Sequence, residues 1–404
     1  MNSLNAENPP PAPAPVRLGS IDAYRGLVMF LLLAEGLNIG GVAKNLPDSA
    51  VWQFLHQQQT HVEWTGCVVH DMIQPSFSFL VGVALPFSVA NRRARGQSPE
   101  AVTGHAFVRA LVLVLLGIFL RSVGHPQTYF TFEDTLTQIG LGYGFLYVLA
   151  LRTVRVQRIA LGAILVGYWL AFALWPLPAA DFDWGRVGVT SEWLSQHGLN
   201  GFAAHWNKNS NLAWAFDTWF MNLFPREKPF VFNTGGYSTL SFVPTLGTMI
   251  LGLIAGETLR SERTNGAKVR WLVVAGIAGV AVGWALGALG VCPVVKRIWT
   301  PSWVLFSGGL CFLGLGFFYA LVDVRGWRRW AFPLVVIGMN SIAAYLMESR
   351  FREFFREAWQ RHLGPNIPTI FGAAYAPFFI GVLVMATYWL LLYGMWRKKF
   401  FLRI

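Results

Sequence analysis

The stretch that decides the fold is "QTHVEWTGCVVHDMIQPSFSFLVGVALPFSVA", Gln59 to Ala90. Its first half holds two histidines, a glutamate and an aspartate within about a dozen residues. From Met72 onward it turns apolar and stays so for 19 residues or so, about the length of helix that crosses a hydrocarbon core of roughly 30 Å. Proton-transfer groups at the mouth of a membrane-length helix set the question for the rest of the chain. Of its 404 residues 54% are hydrophobic and only 13% charged, where a soluble domain carries about 25% charged residues. Mean hydropathy is +0.45.

The excess apolar content falls in further blocks, and we read about ten spans. They are 21–39, 72–90, 106–123, 135–151, 159–177, 239–258, 270–291, 303–322, 331–347 and 376–395. The expected fold class is therefore all-α, a polytopic membrane protein. Many of the 18 tryptophans sit near block ends, as in an aromatic belt. The connections alternate in character. "NRRARGQS", "LRTVRVQR", "LRSERTNGAKVR", "DVRGWRR" and the terminal "WRKKFFLRI", counted with the N-terminus and nearby helix ends, put about 20 of the 32 Lys and Arg on one side. That side is expected to be cytoplasmic and to hold both termini. The formal charge of +12 thus reads as topology, not as nucleic-acid binding. Residues 1–16 read as a disordered Pro/Ala-rich tail and 17–404 as a single transmembrane domain. Three long connections, 40–71, 178–238 and 348–375, lie on the outer face, where binding work tends to be done. Cys67, Cys292 and Cys311 form neither a disulfide framework nor a metal-ligand pattern, so no metal and no Cys67–Cys292 bridge are expected.

Asp71 stands just before the second span, with Gln74 three positions on and Pro75 in the first turn, which reads as a helix cap. The same carboxylate is placed to orient a histidine. His61, His70 and His56 all compete for the part of proton acceptor, and the residues alone do not choose among them. Asp22 and Arg25, three apart, read as a structural ion pair. Glu35 falls near the outer end of the first span. Asn340 and Ser341 of "GMNSIAAY" fall inside the ninth, where an asparagine is costly to bury without partners. Asp134, Glu257, Asp323 and Glu348 lie in or beside other spans.

Four segments carry a resemblance: "RLGSIDAYRGLVMF", "THVEWTGCVVHDMIQPSFSFLVG", "GMNSIAAY" and "RKKFFLRI". In order and spacing the chain resembles the heparan-α-glucosaminide N-acetyltransferase family and its bacterial relatives, over most of its length. The resemblance implies that acetyl-CoA is bound from the cytoplasm and its acetyl group passed to a glucosamine amine on the far side of a bacterial inner membrane. The family's K-H-x-x-W-x-G segment maps onto "THVEWTG", which selects His61 as the catalytic histidine, with Asp71 following in "HDMIQP". An asparagine at the outer end of the first span maps onto Asn38 by motif, displaced by about two residues, so that Glu35 also competes for the place. A family L-Q-R-L-G segment reads "LTQIG" here, with Gln138 in place of the arginine. The chain begins almost at its first apolar block, without the large N-terminal domain of lysosomal members, so a small amino sugar is expected as acceptor in place of heparan sulfate.

The resulting expectation is a transmembrane N-acetyltransferase. His61 acts as general base or acetyl acceptor, Asp71 orients it, Glu35, Asn38, Asn340 and Glu348 serve substrate or cofactor binding, and Asn38 or Asn340 is the candidate oxyanion donor. Its partners would be acetyl-CoA, a small amino sugar and the lipid bilayer, with homodimerisation compatible. The rivals are a sugar transporter, against which no inverted repeat shows, and an O-acyltransferase of envelope glycans.

Overall fold

The computed structural model describes residues 18–364 and 366–402; the expected Pro/Ala-rich tail, 1–16, lies outside them. Among the described residues the chain is helical, with one isolated bridge pair, Thr65 and Val295. The helices are α1 Gly19–Leu33, α2 Ile39–Asn45, α3 Ala50–Gln59, α4 Ile73–Ala94, α5 Pro99–Ser122, α6 Thr135–Ala150, α7 Val154–Ala173, α8 Ser191–His197, α9 Leu212–Phe220, α10 Phe242–Arg260, α11 Asn265–Ala288, α12 Pro301–Phe318, α13 Phe332–Gly338, α14 Ser341–Leu363 and α15 Ala376–Arg397.

Every expected span falls on a helix, but not every one is a plain span. Among the described residues seven helices are long and apolar enough to cross a membrane, and nine if each of two bent pairs counts as one. The 16-residue α6 is apolar but shorter. Two expectations need correction. The first span bends by 41° between α1 and α2, and the ninth by 78° between α13 and α14. At the first break the chain tightens into a 3-10 turn, Ala34–Leu37, and Asn38 takes the left-handed conformation (φ 52°). Its side chain then accepts from Gly41 N–H at 3.2 Å and caps α2. At the second break Asn340 gives both its amide donor and its acceptor to another segment, donating to Phe400 O (2.8 Å) and accepting from Leu402 N–H (3.0 Å). The outer connections are also more ordered than a loop reading implies. Residues 40–71 contain most of α2 and all of α3, 178–238 contain α8 and α9, and 348–363 continue α14.

Helix starts follow their side-chain caps. Ser98, Asp134, Thr153, Thr264 and Thr300 each accept from a backbone N–H in the first turn that follows. Asp323 caps α1 from a distance, its two carboxylate oxygens accepting from Gly19 and Ser20 N–H at 3.0 Å each. The expected Asp22–Arg25 pair forms at 3.5 Å.

The bundle is built around α10, 78% of whose membrane window is buried, whereas the windows of α7 and α11 are 17% buried and form the periphery. The tight seam between α4 and α10 depends on glycine. A Cβ at Gly82 would run into the carbonyl of Met249, and one at Gly252 into that of Phe79. Backbones at this distance exclude both lipid and water. The seam fixes the start of α4, and with it Asp71, against the start of α10.

Candidate active site

The site is assembled on the turn between α11 and α12, "CPVVKRIWT", Cys292–Thr300. Thr300 knots this turn: its hydroxyl donates to Pro293 O (2.7 Å) and accepts from Val295 N–H (3.0 Å). Trp299 Nε1 donates to Thr248 Oγ1 of α10 at 3.0 Å, tying the turn to the central helix. The segment after α3 lies along the turn, with Gly66 N–H donating to Val294 O at 3.0 Å and Thr65 bridging Val295. Gly66 has φ +114°, a conformation open to glycine, which turns the chain from Trp64 toward α4. Trp64 is 1% exposed and its indole donates to Trp206 O at 3.0 Å. These contacts explain why "HVEWTG" needs both its tryptophan and its glycine.

His61 and Asp71 come together at the centre, with His61 Nδ1 and Asp71 Oδ1 2.7 Å apart. Asp71 is wholly buried, whereas the His61 side chain is 36% exposed. The carboxylate is fully occupied. Its Oδ2 accepts from Val68 N–H (3.2 Å) and Val62 N–H (3.4 Å), and its Oδ1 faces the Lys296 ammonium at 3.2 Å. The cap expected of Asp71 is therefore real but differently placed. Asp71 lies within a 3-10 turn, Val69–Met72, and reaches back to the N–H of Val68; Gln74 takes no part. A buried carboxylate on Nδ1 fixes the imidazole tautomer, with the proton on Nδ1 and a lone pair on Nε2.

Lys296 is the residue that the sequence reading missed. Its Nζ lies 3.0 Å from Nδ1 and 3.5 Å from Nε2 of His61. Burial pushes this ammonium down to about 8, against the opposing pull of Asp71. In the sequence it is one lysine next to Arg297 in a short outer connection; a basic pair on that side is not explained by topology, but no local motif ties it to His61. Arg297 beside it donates to Gly235 O (2.7 Å) and Val62 O (3.0 Å), which clamps the His61 segment to the loop before α10. Lys208 on the outer connection lies over the Trp193 ring, and burial, then Arg297, holds it below the usual lysine range. Cys67 is no nucleophile, since burial and the neighbouring Asp71 push its thiol up to about 12.

The other expected residues sort themselves by distance. The rings of His61 and His70 are 4.5 Å apart, and His70 Nε2 lies 3.3 Å from Glu35 Oε1. Glu35 Oε2 meets Arg352 at 3.0 Å, and Arg352 also pairs with Glu348. Glu35 and Glu348 thus belong to one chain of polar contacts that reaches His61 through His70, with Arg352 as a link the sequence reading did not name. The Asn38 side-chain oxygen is spent on the α2 cap, and both polar atoms of the Asn340 side chain on the Phe400–Leu402 segment. His56 is also apart from it, packed toward Gly40. Gln138 is buried and donates to Phe132 O at 2.6 Å and Thr239 O at 3.2 Å, which makes it a staple between α6 and the start of α10. All three cysteines are free thiols.

A multi-pass helical membrane protein with an aspartate–histidine–lysine group at one end of its bundle is thus defined by fold and site. No family model matches the chain. Over 96% of its length it is 24% identical to the human heparan-alpha-glucosaminide N-acetyltransferase and 22% identical to the mouse enzyme of that name. The similarity supports the family read from the motifs, and it extends well beyond them. The chain spans 60% of the length of each of these relatives.

Proposed function

We propose that this protein is a transmembrane acetyltransferase that takes the acetyl group of acetyl-CoA and transfers it to the amine of a small amino sugar at His61. The observation that carries the reading is the 2.7 Å contact between a buried Asp71 and a half-exposed His61. It leaves the Nε2 lone pair free for chemistry. The amine loses a proton to Nε2 as its nitrogen attacks the thioester carbonyl. The carbon–sulfur bond then breaks, and the proton on Nε2 passes to the departing thiolate. The same lone pair can instead attack the thioester first, giving an acetyl-imidazole that the amine then cleaves. A carbonyl carbon in reach of Nε2 places its oxygen near the Lys296 ammonium, which would stabilise the negative charge that grows there. This assigns to Lys296 the oxyanion role that Asn38 and Asn340 were expected to share.

The basic connections support cytoplasmic termini and a donor entering from the cytoplasm, with His61 at the opposite, periplasmic end of a bacterial inner membrane. The charge of the outer connection supports a small acceptor. Residues 178–238 hold Asp181, Asp183, Glu192, Asp217 and Glu227 against Arg186, Lys208, Arg226 and Lys228, five acids to four bases, which is no surface for a polyanion. Of its tryptophans, Trp206 is core, while Trp193 lies edge-on to Trp64 and remains partly accessible beside the site. The test is transfer of labelled acetyl from acetyl-CoA to glucosamine by purified protein, with heparan fragments as competitors. A transporter would label nothing, and an O-acyltransferase would label hydroxyl acceptors in place of the amine. Label trapped on the protein without acceptor would select the acetyl-imidazole route.

A further inference from the structure

Outside the site just described, a cleft of about 730 Å³ opens between the first turns of α7, the last turn of α10 and α11. It stands at the far end of α10 from His61. Lys296 and Arg297 pack at the start of this helix, where Ser241 Oγ donates to Arg297 O, and the cleft begins at Ile254. The helix is 19 residues long, so its two ends are about 28 Å apart. Arg155, Arg158, Arg260 and Arg263 line the cleft against one carboxylate, Glu257, four positive charges to one negative. Glu257 is 3.9 Å from Arg260. Among the described residues no carboxylate lies within ion-pair distance of Arg155, Arg158 or Arg263.

Three exposed guanidinium groups lining one cleft without an ion-paired carboxylate make it a positive surface that attracts an anion. The planar fork of arginine suits phosphate oxygens in particular. Apart from Thr258 and Ser261, the cleft's other walls are apolar. Trp271 stands at its α11 side, and Ile159, 62% exposed, continues onto the outward face of α7. Both flanking helices are the peripheral ones, whose outward faces carry exposed Val166, Val274 and Ile277. A phosphate held between peripheral helices at a membrane surface, with apolar walls leading away from it, is the geometry of a phospholipid headgroup site.

We infer that this cleft is a phosphate-group binding site, with an anionic phospholipid of the surrounding leaflet as the occupant its walls favour. The alternative source of the same chemistry is a soluble nucleotide phosphate. The inference does not depend on the acetyl-transfer reading, because no residue of the His61 group lines the cleft.

The experiment is native mass spectrometry of the purified full chain, mixed with equimolar phosphatidylglycerol and phosphatidylcholine of the same acyl chains. A parallel arm uses 3′-phosphoadenosine 5′-phosphate. The wild type should retain phosphatidylglycerol selectively. Each arginine is worth about fivefold in affinity, so Arg158→Gln with Arg263→Gln should lower that retention roughly 25-fold. Arg329→Gln, an exposed arginine of another connection, should leave it unchanged. Arg155→Gln with Arg260→Gln is the second pair, should the first prove poorly folded. Displacement of the lipid by the nucleotide, or nucleotide binding lost in the same variants, would keep the phosphate site and assign its source to the soluble phase. Equal retention of the two lipids together with no nucleotide binding, or selectivity unchanged in both double variants, would overturn the inference.

Discussion

Replacing Lys296 by methionine tests the proposed chemistry most sharply, because it removes a charge and keeps most of the side chain's volume. The ammonium is 4% exposed and lies between Asp71 Oδ1 (3.2 Å) and His61 Nε2 (3.5 Å). Its fall from 10.5 to about 8 means that the site holds the cation at a cost of about 3 kcal/mol relative to the neutral amine. The Asp71 attraction thus offsets only part of the desolvation. A cation kept at such a cost for structure alone would be poor design, whereas one aimed at developing negative charge is useful. Loss of an oxyanion donor lowers kcat by about 10²–10³-fold, and Lys296→Met should fall in that range. The pH dependence gives a second, independent sign. In the folded protein the amine loses its proton near pH 8, so catalysis should fall as pH rises through that value. Folded Lys296 holds fewer protons than the unfolded chain between about pH 8 and 10.5, so its contribution to stability rises with pH across that window. Activity and stability should therefore move in opposite directions there. Lys296→Arg, which stays charged, should lose the alkaline fall and keep part of the rate. The assay is labelled acetyl transfer to glucosamine from pH 6 to 10, with melting measured in the same buffers. A Lys296→Met rate within about threefold of wild type, with the alkaline limb intact, would refute the assignment.

Other outcomes follow from the same geometry. His61→Ala should abolish transfer while acetyl-CoA still raises the melting temperature, since a ligand bound only by the folded state stabilises it; loss of both would make His61 a structural residue. Asp71→Asn keeps an acceptor for Val68 N–H but strips Lys296 of its counter-charge and lets the His61 tautomer go, so the rate should fall by about 10³–10⁴-fold, with a lower melting temperature as well. Gly82→Ala should destabilise by about 3 kcal/mol or more, because its methyl meets the Met249 carbonyl across the seam, and unchanged melting would show that the seam can open cheaply. Asp217, buried and pushed up to about 7, holds a proton in the folded state that the unfolded chain gives up near 3.8, so stability should decline as pH rises from 4 to 7; Asp217→Asn should flatten that decline in a melting series.

The sequence carries the helices well, because apolar length is a strong signal and caps such as Asp134 and Thr300 are local. It does not carry the breaks. "AEGLNIGG" and "GMNSIAAY" are more polar than the apolar runs that flank them, but a few polar residues are tolerated within a span, and it is the left-handed Asn38 and the spent amide of Asn340 that reveal the bends. The His61–Asp71 pair was legible through the motif, ten residues apart and either side of a glycine turn. Lys296 was not, since its partner lies 225 positions away and no local motif ties the two together. Arg352 was hidden for a related reason. Residues 348–363 are charged enough to read as a loop, yet they form the long second arm of a bent pair.

These two bends shape the site. Had α1 run straight past Leu33, Glu35 would have continued up the same helix face. The 3-10 turn Ala34–Leu37 instead carries it to His70, and the 78° turn at Asn340 carries Arg352 and Glu348 to Glu35. The result is one polar chain, from Lys296 and Asp71 through His61 and His70 to Glu35, Arg352 and Glu348. Except where the His61 and His70 rings meet, acids and bases alternate along it, and each of the two histidines has its own carboxylate, Asp71 and Glu35, the condition under which such groups are tolerated near a hydrocarbon core. Proton gain or loss at His61 is then felt by groups on both sides. This gives Glu35 and Glu348 a reason to accompany the histidine without touching a substrate: they hold His70 and Arg352 in place behind the His61 imidazole.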